Sequence, residues 1–112
     1  MFIMTVISYP LTVANEVGSR FRKLMEAQRP EYMKFIGLWG YTNEGKWNFV
    51  QVFEVEEKSK VPDALERNES VFFQTYGDIP GFAYTHRIAY TPQRGFQNHR
   101  SRMNWSPQKV PI

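Results

Sequence analysis

The feature that most constrains this 112-residue chain is a mismatch between its strands and its helices. Residues 1–91 hold two copies of one pattern: an apolar strand-like run, an amphipathic helix, then a second strand-like run. The strand-like runs are apolar on both faces, yet only two helices are available to cover them. Two helices shelter one face of a four-stranded sheet. The other face calls for a partner, most simply a second copy of the chain.

The punctuation supports that division. Phe2 to Tyr9 reads as the first strand and Pro10 closes it, because proline donates nothing to a ladder. Thr12 or a neighbour suits the cap of a first helix, whose Val13, Val17, Phe21, Leu24 and Met25 recur at helical spacing. Gly18 weakens that helix, so close packing of its backbone on the sheet is expected. Pro30 ends the segment. Met33 to Tyr41 and Lys46 to Glu56 form a hairpin around Asn43-Glu44-Gly45. A second helix starts near Ser59 to Asp63 with Pro62 in its first turn, carries Ala64, Leu65, Val71 and Phe72, and stops at Gly77. Phe82 to Tyr90 is the fourth strand. Two β-α-β units of this kind give an α+β, ferredoxin-like β-α-β-β-α-β fold. Its antiparallel sheet has the first and third strands at the centre and both helices on one face.

Charge separates the body from the tail. Residues 1–91 hold ten Lys/Arg against eleven Asp/Glu, a net −1, whereas residues 92–112 hold Arg94, Arg100, Arg102 and Lys109 with no acid, a net +4. The tail has no period and reads as extended or disordered, with Phe96, Met103 and Trp105 as anchors. A solubilising or dimer-clasping arm suits it better than a nucleic-acid contact, because its charge is sparse and the body is not basic. The absence of Cys excludes disulfides, thiolate metal sites and thiol nucleophiles. No apolar run reaches the roughly 20 residues of a membrane span, and Met1 to Ile7 lacks a basic leader, so a cytoplasmic protein is expected.

The order of elements, the start Met1-Phe2-Ile3-Met4, the run Lys34-Phe35-Ile36-Gly37-Leu38-Trp39 and the acidic end of the third strand resemble the dimeric α/β-barrel superfamily. The likeness is nearest to its short, uncharacterised bacterial members. It implies sheets paired face to face into a barrel. It also implies one of the group's activities: cofactor-free oxygenation, heme handling, isomerisation, cyclisation or ligand sensing.

Aromatic residues make up 16% of the chain, and strand alternation gathers them. Trp47, Phe49, Gln51 and Phe53 share one face of the third strand, Tyr84, His86 and Tyr90 one face of the fourth, and Phe35, Trp39 and Tyr41 one face of the second. These aromatic faces are expected to line the dimer-facing concavity, with the aliphatic faces under the helices. The ligand-binding candidates are then Trp39, Tyr41, Trp47, Phe49, Gln51, Phe53, Tyr84 and Tyr90, around an apolar or aromatic small molecule. His86 is the candidate acid or base. A hydrogen-bonded core histidine and plain aromatic packing are the bland alternatives. With two histidines and no partnered carboxylates no metal is expected. No cofactor is expected either, although the heme-handling branch keeps heme open as a ligand. No phosphate loop or nucleophile elbow occurs. Glu54, Glu56 and Glu57 read as a solvated rim. A barrel-bound metabolite, transformed or not, and a non-catalytic sensing or interaction module both fit this pattern.

Overall fold

The structure, a computed structural model, describes residues 1–90. The basic tail lies outside the described residues. The chain runs β1 (Phe2–Pro10), α1 (Ala14–Glu26), β2 (Met33–Asn43), β3 (Lys46–Val55), α2 (Val61–Tyr76) and β4 (Ala83–Ala89), with short 3-10 turns ahead of each helix. The sheet is antiparallel in the order β2-β3-β1-β4, which is the ferredoxin-like arrangement.

Local chemistry explains the boundaries. Glu44 and Gly45 both take positive φ, 52° and 76°, which matches a two-residue hairpin turn to the twist of its strands. Pro62 and Asp63 occupy the first turn of α2, where a missing N–H costs nothing and a carboxylate meets the positive helix end. One expectation fails and another holds in a different geometry. Thr12 makes no capping hydrogen bond; Leu11–Val13 forms a 3-10 turn instead, and the Leu11 N–H donates to the Gly45 carbonyl at 3.1 Å. Gly77 ends α2 as expected, its N–H donating to the Phe73 carbonyl, but with a right-handed φ of −62°; a positive φ of 77° falls on Gly81.

Both helices lie on one face of the sheet, and the assignment of faces is the reverse of the one expected. Phe49 and Tyr84 pack beneath the helices with Ile7, Tyr9, Val17, Phe72 and Tyr76. Phe53 joins Ile3, Met33, Val55, Val61 and Ala64 in a second cluster. Bulky rings belong there because a helix axis stands well off the sheet, and long side chains fill that gap better than Val or Ala.

Outside β2, the open face carries the smaller residues. Across its middle run Trp39, Val50, Val6 and Thr85, with Val52, Met4 and Arg87 in the adjoining row. A register shift between Phe35 and Gly37 breaks the alternation of β2. Phe35 stays under the helices against Phe53, whereas Trp39 and Tyr41 turn to the open face, 58% and 61% exposed. Unbroken alternation, as read from the sequence, had put all three on one side. Lys34 and Arg87 sit on the two edge strands, where their ends reach water.

The glycines at positive φ provide a test of this architecture. Gly45→Ala meets only open space, so its cost is backbone strain, about 1 to 2 kcal/mol. At Gly81 a Cβ would also lie 2.7 Å from the Pro10 ring, so Gly81→Ala is expected to cost more than Gly45→Ala in urea unfolding. Equal losses would place Gly81 away from the end of β1.

Candidate functional site

A cavity of about 180 Å³ opens between α1 and the sheet. Ile7 and Tyr9 of β1 and Leu38, Phe49 and Gln51 of the hairpin form its floor, while Val17, Gly18 and Phe21 of α1 form its roof. Tyr76 and Phe82 close one end. The bulge in β2 matters here, because it turns Leu38 rather than Trp39 toward the cavity. Gly18 does not pack closely on the sheet as expected: a Cβ placed there meets nothing within 4 Å. Its missing side chain leaves room. The Arg20 guanidinium ties α1 to the end of α2 and the segment after it, donating to the Thr75 carbonyl at 2.9 Å and bonding Asp78. That pairing holds the Asp78 carboxyl below the usual carboxylate range.

The cavity wall is mostly apolar. Burial pushes the Tyr76 hydroxyl up to about 12 and raises Tyr9 as well, so both stay protonated and act as neutral hydroxyls near pH 7. Gln51 is 4% exposed and is the buried amide of this wall.

Gln51 belongs to a polar row that crosses the sheet under the helices. Thr5 is its partner on β1, and His86 is the partner of Thr5 on β4. Thr5 is fully buried, and its Oγ1 lies 2.7 Å from His86 Nδ1. The imidazole, with 5% of its side chain exposed, stands edge-on to the Phe72 ring at 5.0 Å. Its Nε2 makes no hydrogen bond; the nearest carboxylate oxygen, on Glu69, is 3.6 Å away. Glu69 accepts instead from the Tyr84 hydroxyl at 3.1 Å. Desolvation lowers the His86 pKa, opposed by the Glu69 charge, so the ring is mostly neutral at pH 7.

A second space of about 30 Å³ lies on the other side of Gln51, bounded by Phe53, Phe72, Arg29, Arg67 and Asn68. Asn68 is 3% exposed, and its Nδ2 has no acceptor.

The candidate residues therefore separate. Phe49 and Gln51 line the larger cavity, and Gln51 and Phe53 the smaller. Trp47 stacks on Phe49 at 5.4 Å, and Tyr84 packs beside His86. Trp39 and Tyr41 lie on the open face, and Tyr90 is exposed beyond the end of β4. A cavity beside His86 was expected, but His86 lines neither space. Among the described residues no histidine in either wall is placed to ligate a heme iron, and no group of three His, Asp or Glu could hold a metal. Thr5, Asn68, Arg29 and Arg67 were missed. The signal for Asn68 was its place in the stripe Val61, Ala64, Phe72 and Tyr76, where it is the polar exception. Thr5 likewise interrupts Ile3, Ile7 and Tyr9.

Comparison with family models, with curated proteins and with solved structures gave no match. No described helix is long and apolar enough to cross a membrane.

The buried Thr5–His86 pair gives two expectations. Thr5→Val keeps the shape and strands Nδ1, so a loss of about 1 to 3 kcal/mol is expected in denaturant titration. Because the folded ring has the lower pKa, the unfolded chain takes up its proton first. Stability should decline as pH falls below about 6.5 and level off below the folded value. His86→Gln should flatten that decline; an unchanged slope would place the ring in solvent.

Proposed function

We propose that this chain is a homodimeric small-molecule-binding protein that holds an apolar or aromatic compound between α1 and the sheet. The observation that carries this reading is the cavity beneath Gly18, walled by aromatic and aliphatic side chains with one buried amide, Gln51. A void of about 150 Å³ with apolar walls accommodates benzene, so about 180 Å³ suits a single ring. Apolar walls with few polar groups are the usual make-up of such sites. The site is placed under the helix rather than between paired sheets, because the aromatic side chains lie there.

Non-catalytic ligand sensing is the favoured form of this reading. Isomerisation or cyclisation by proton transfer needs a group that titrates near neutrality beside the ligand. The tyrosines of the wall are held protonated, and His86 stands outside it. Cofactor-free oxygenation is the enzymatic alternative, since an oxidisable substrate brings its own electrons.

Methyl NMR of the full chain titrated with toluene tests the site. Shifts are expected at Ile7, Val17 and Leu38. They should vanish in Gly18→Leu, which fills the space and improves the helix by up to about 1 kcal/mol. Shifts scattered over the surface, or unchanged in that variant, would defeat the proposal.

The dimer rests on the open face. Val6 and Val50 face each other across the central strands there, flanked by exposed Trp39 and Tyr41. Such a patch suits an isologous contact with a second copy. Light scattering at micromolar concentration should give twice the chain mass, and Val6→Lys with Val50→Lys should give a folded monomer. A monomeric native chain would remove the dimer and leave the cavity standing.

A further inference from the structure

We infer that the compound held by this chain is a carboxylate: a one-ring aromatic acid whose ring occupies the larger cavity and whose anionic head enters the smaller one. This rests on the small-molecule reading above and names the chemical class of the ligand.

Gln51 is a wall of both spaces, so a molecule passing its amide would have its ring in one and its head in the other. The smaller space gathers three donor-bearing side chains. The Arg29 guanidinium lies over Phe35 and Phe53, 5.7 and 5.8 Å from their ring centres, and its polar contact is a weak one to Met25 Sδ at 4.0 Å. Arg67 Nη2 donates to the Gln28 carbonyl at 3.3 Å. Neither guanidinium pairs with a carboxylate among the described residues. Asn68 Nδ2 is buried beside them without an acceptor.

A buried donor left unpaired is costly, and the two half-buried guanidiniums, which keep contact with water, place positive charge at the rim of the same space. A water molecule would fit about 30 Å³ and could accept from Asn68, but it brings no negative charge for two guanidiniums. A carboxylate supplies both. It is planar, offers two oxygens to an arginine fork, and needs less room than a phosphate. No Asp or Glu lines either space to repel it.

The test uses the full chain with three probes. Calorimetry should show phenylacetate binding at least about tenfold more tightly than phenylacetamide, its neutral counterpart. That preference should disappear in Arg67→Gln and in Arg29→Gln, while toluene still shifts the Ile7 and Val17 methyls. Asn68→Asp sets a like charge in the wall and should abolish phenylacetate binding but not toluene binding. If Arg29→Gln fails to fold because its packing on Phe35 and Phe53 is lost, Arg67→Gln and the native amide comparison decide. Equal binding of phenylacetate and phenylacetamide, with toluene bound, would overturn the carboxylate and leave the cavity reading intact. A preference that survives in Arg67→Gln and Asn68→Asp would overturn the placement of the head. No binding of any probe would overturn both readings.

Discussion

Tyr9 lies between Phe49 and Phe82, nearly parallel to both, with ring centres 5.9 and 5.8 Å away. Trp47 continues the stack beyond Phe49, and Tyr76 of α2 continues it beyond Phe82 at 4.4 Å. Five rings thus run from β3 across β1 to the end of α2. Offset stacking of this kind adds to plain burial and fixes distances, because rings do not compress. The height of the helices above this end of the sheet depends on it. Under α1, where Gly18 adds nothing, the spacing set by these rings is left partly unfilled, and that shortfall is the cavity.

Beside this stack runs the polar row of Gln51, Thr5 and His86, one residue from each of three neighbouring strands. It separates the cluster around Ile3, Phe53 and Val55 from the cluster around Tyr9 and Phe72. A buried row of this type specifies register strongly, since a one-residue slip of any of these strands would drive its polar group onto the opposite face and leave its neighbour in the row unpaired. The imidazole is a member of that row before it is anything else. Its pairing with Thr5 and its edge-on contact with Phe72 account for its burial without invoking a reaction.

The fold was legible because period, turn and proline signals agree over residues 1–90. The Asn43-Glu44-Gly45 turn, Pro62 and the stripe of α1 each point to the element found there. The choice of face was not legible. Alternation sorts residues into two sets but is silent on which set meets the helices, and both sets here are apolar. Phe49, Tyr84 and Phe53 were therefore grouped correctly on their own strands and assigned to the wrong side. Trp39 and Tyr41 were misplaced relative to Phe35 for a different reason. A bulge depends on pairing with β3, which a single strand does not announce. The smaller space escaped notice because Arg29 of the α1–β2 connection, Asn68 of α2 and Gln51 of β3 are brought together only by tertiary packing.

The bulge also divides β2 into two arms whose relative phase is set by one surplus residue, Ile36. Drawing Ile36 into regular pairing with Val52, with no residue lost, would slip the whole outer arm by one place and reverse its faces. Trp39 and Tyr41 would swing inward against Phe49, and Leu38 would be carried out to the bare side. Loss of Ile36 itself would keep Leu38 opposite Gln51 and Trp39 opposite Val50, so it is the seating of one surplus residue outside the ladder that decides which side chains furnish each surface.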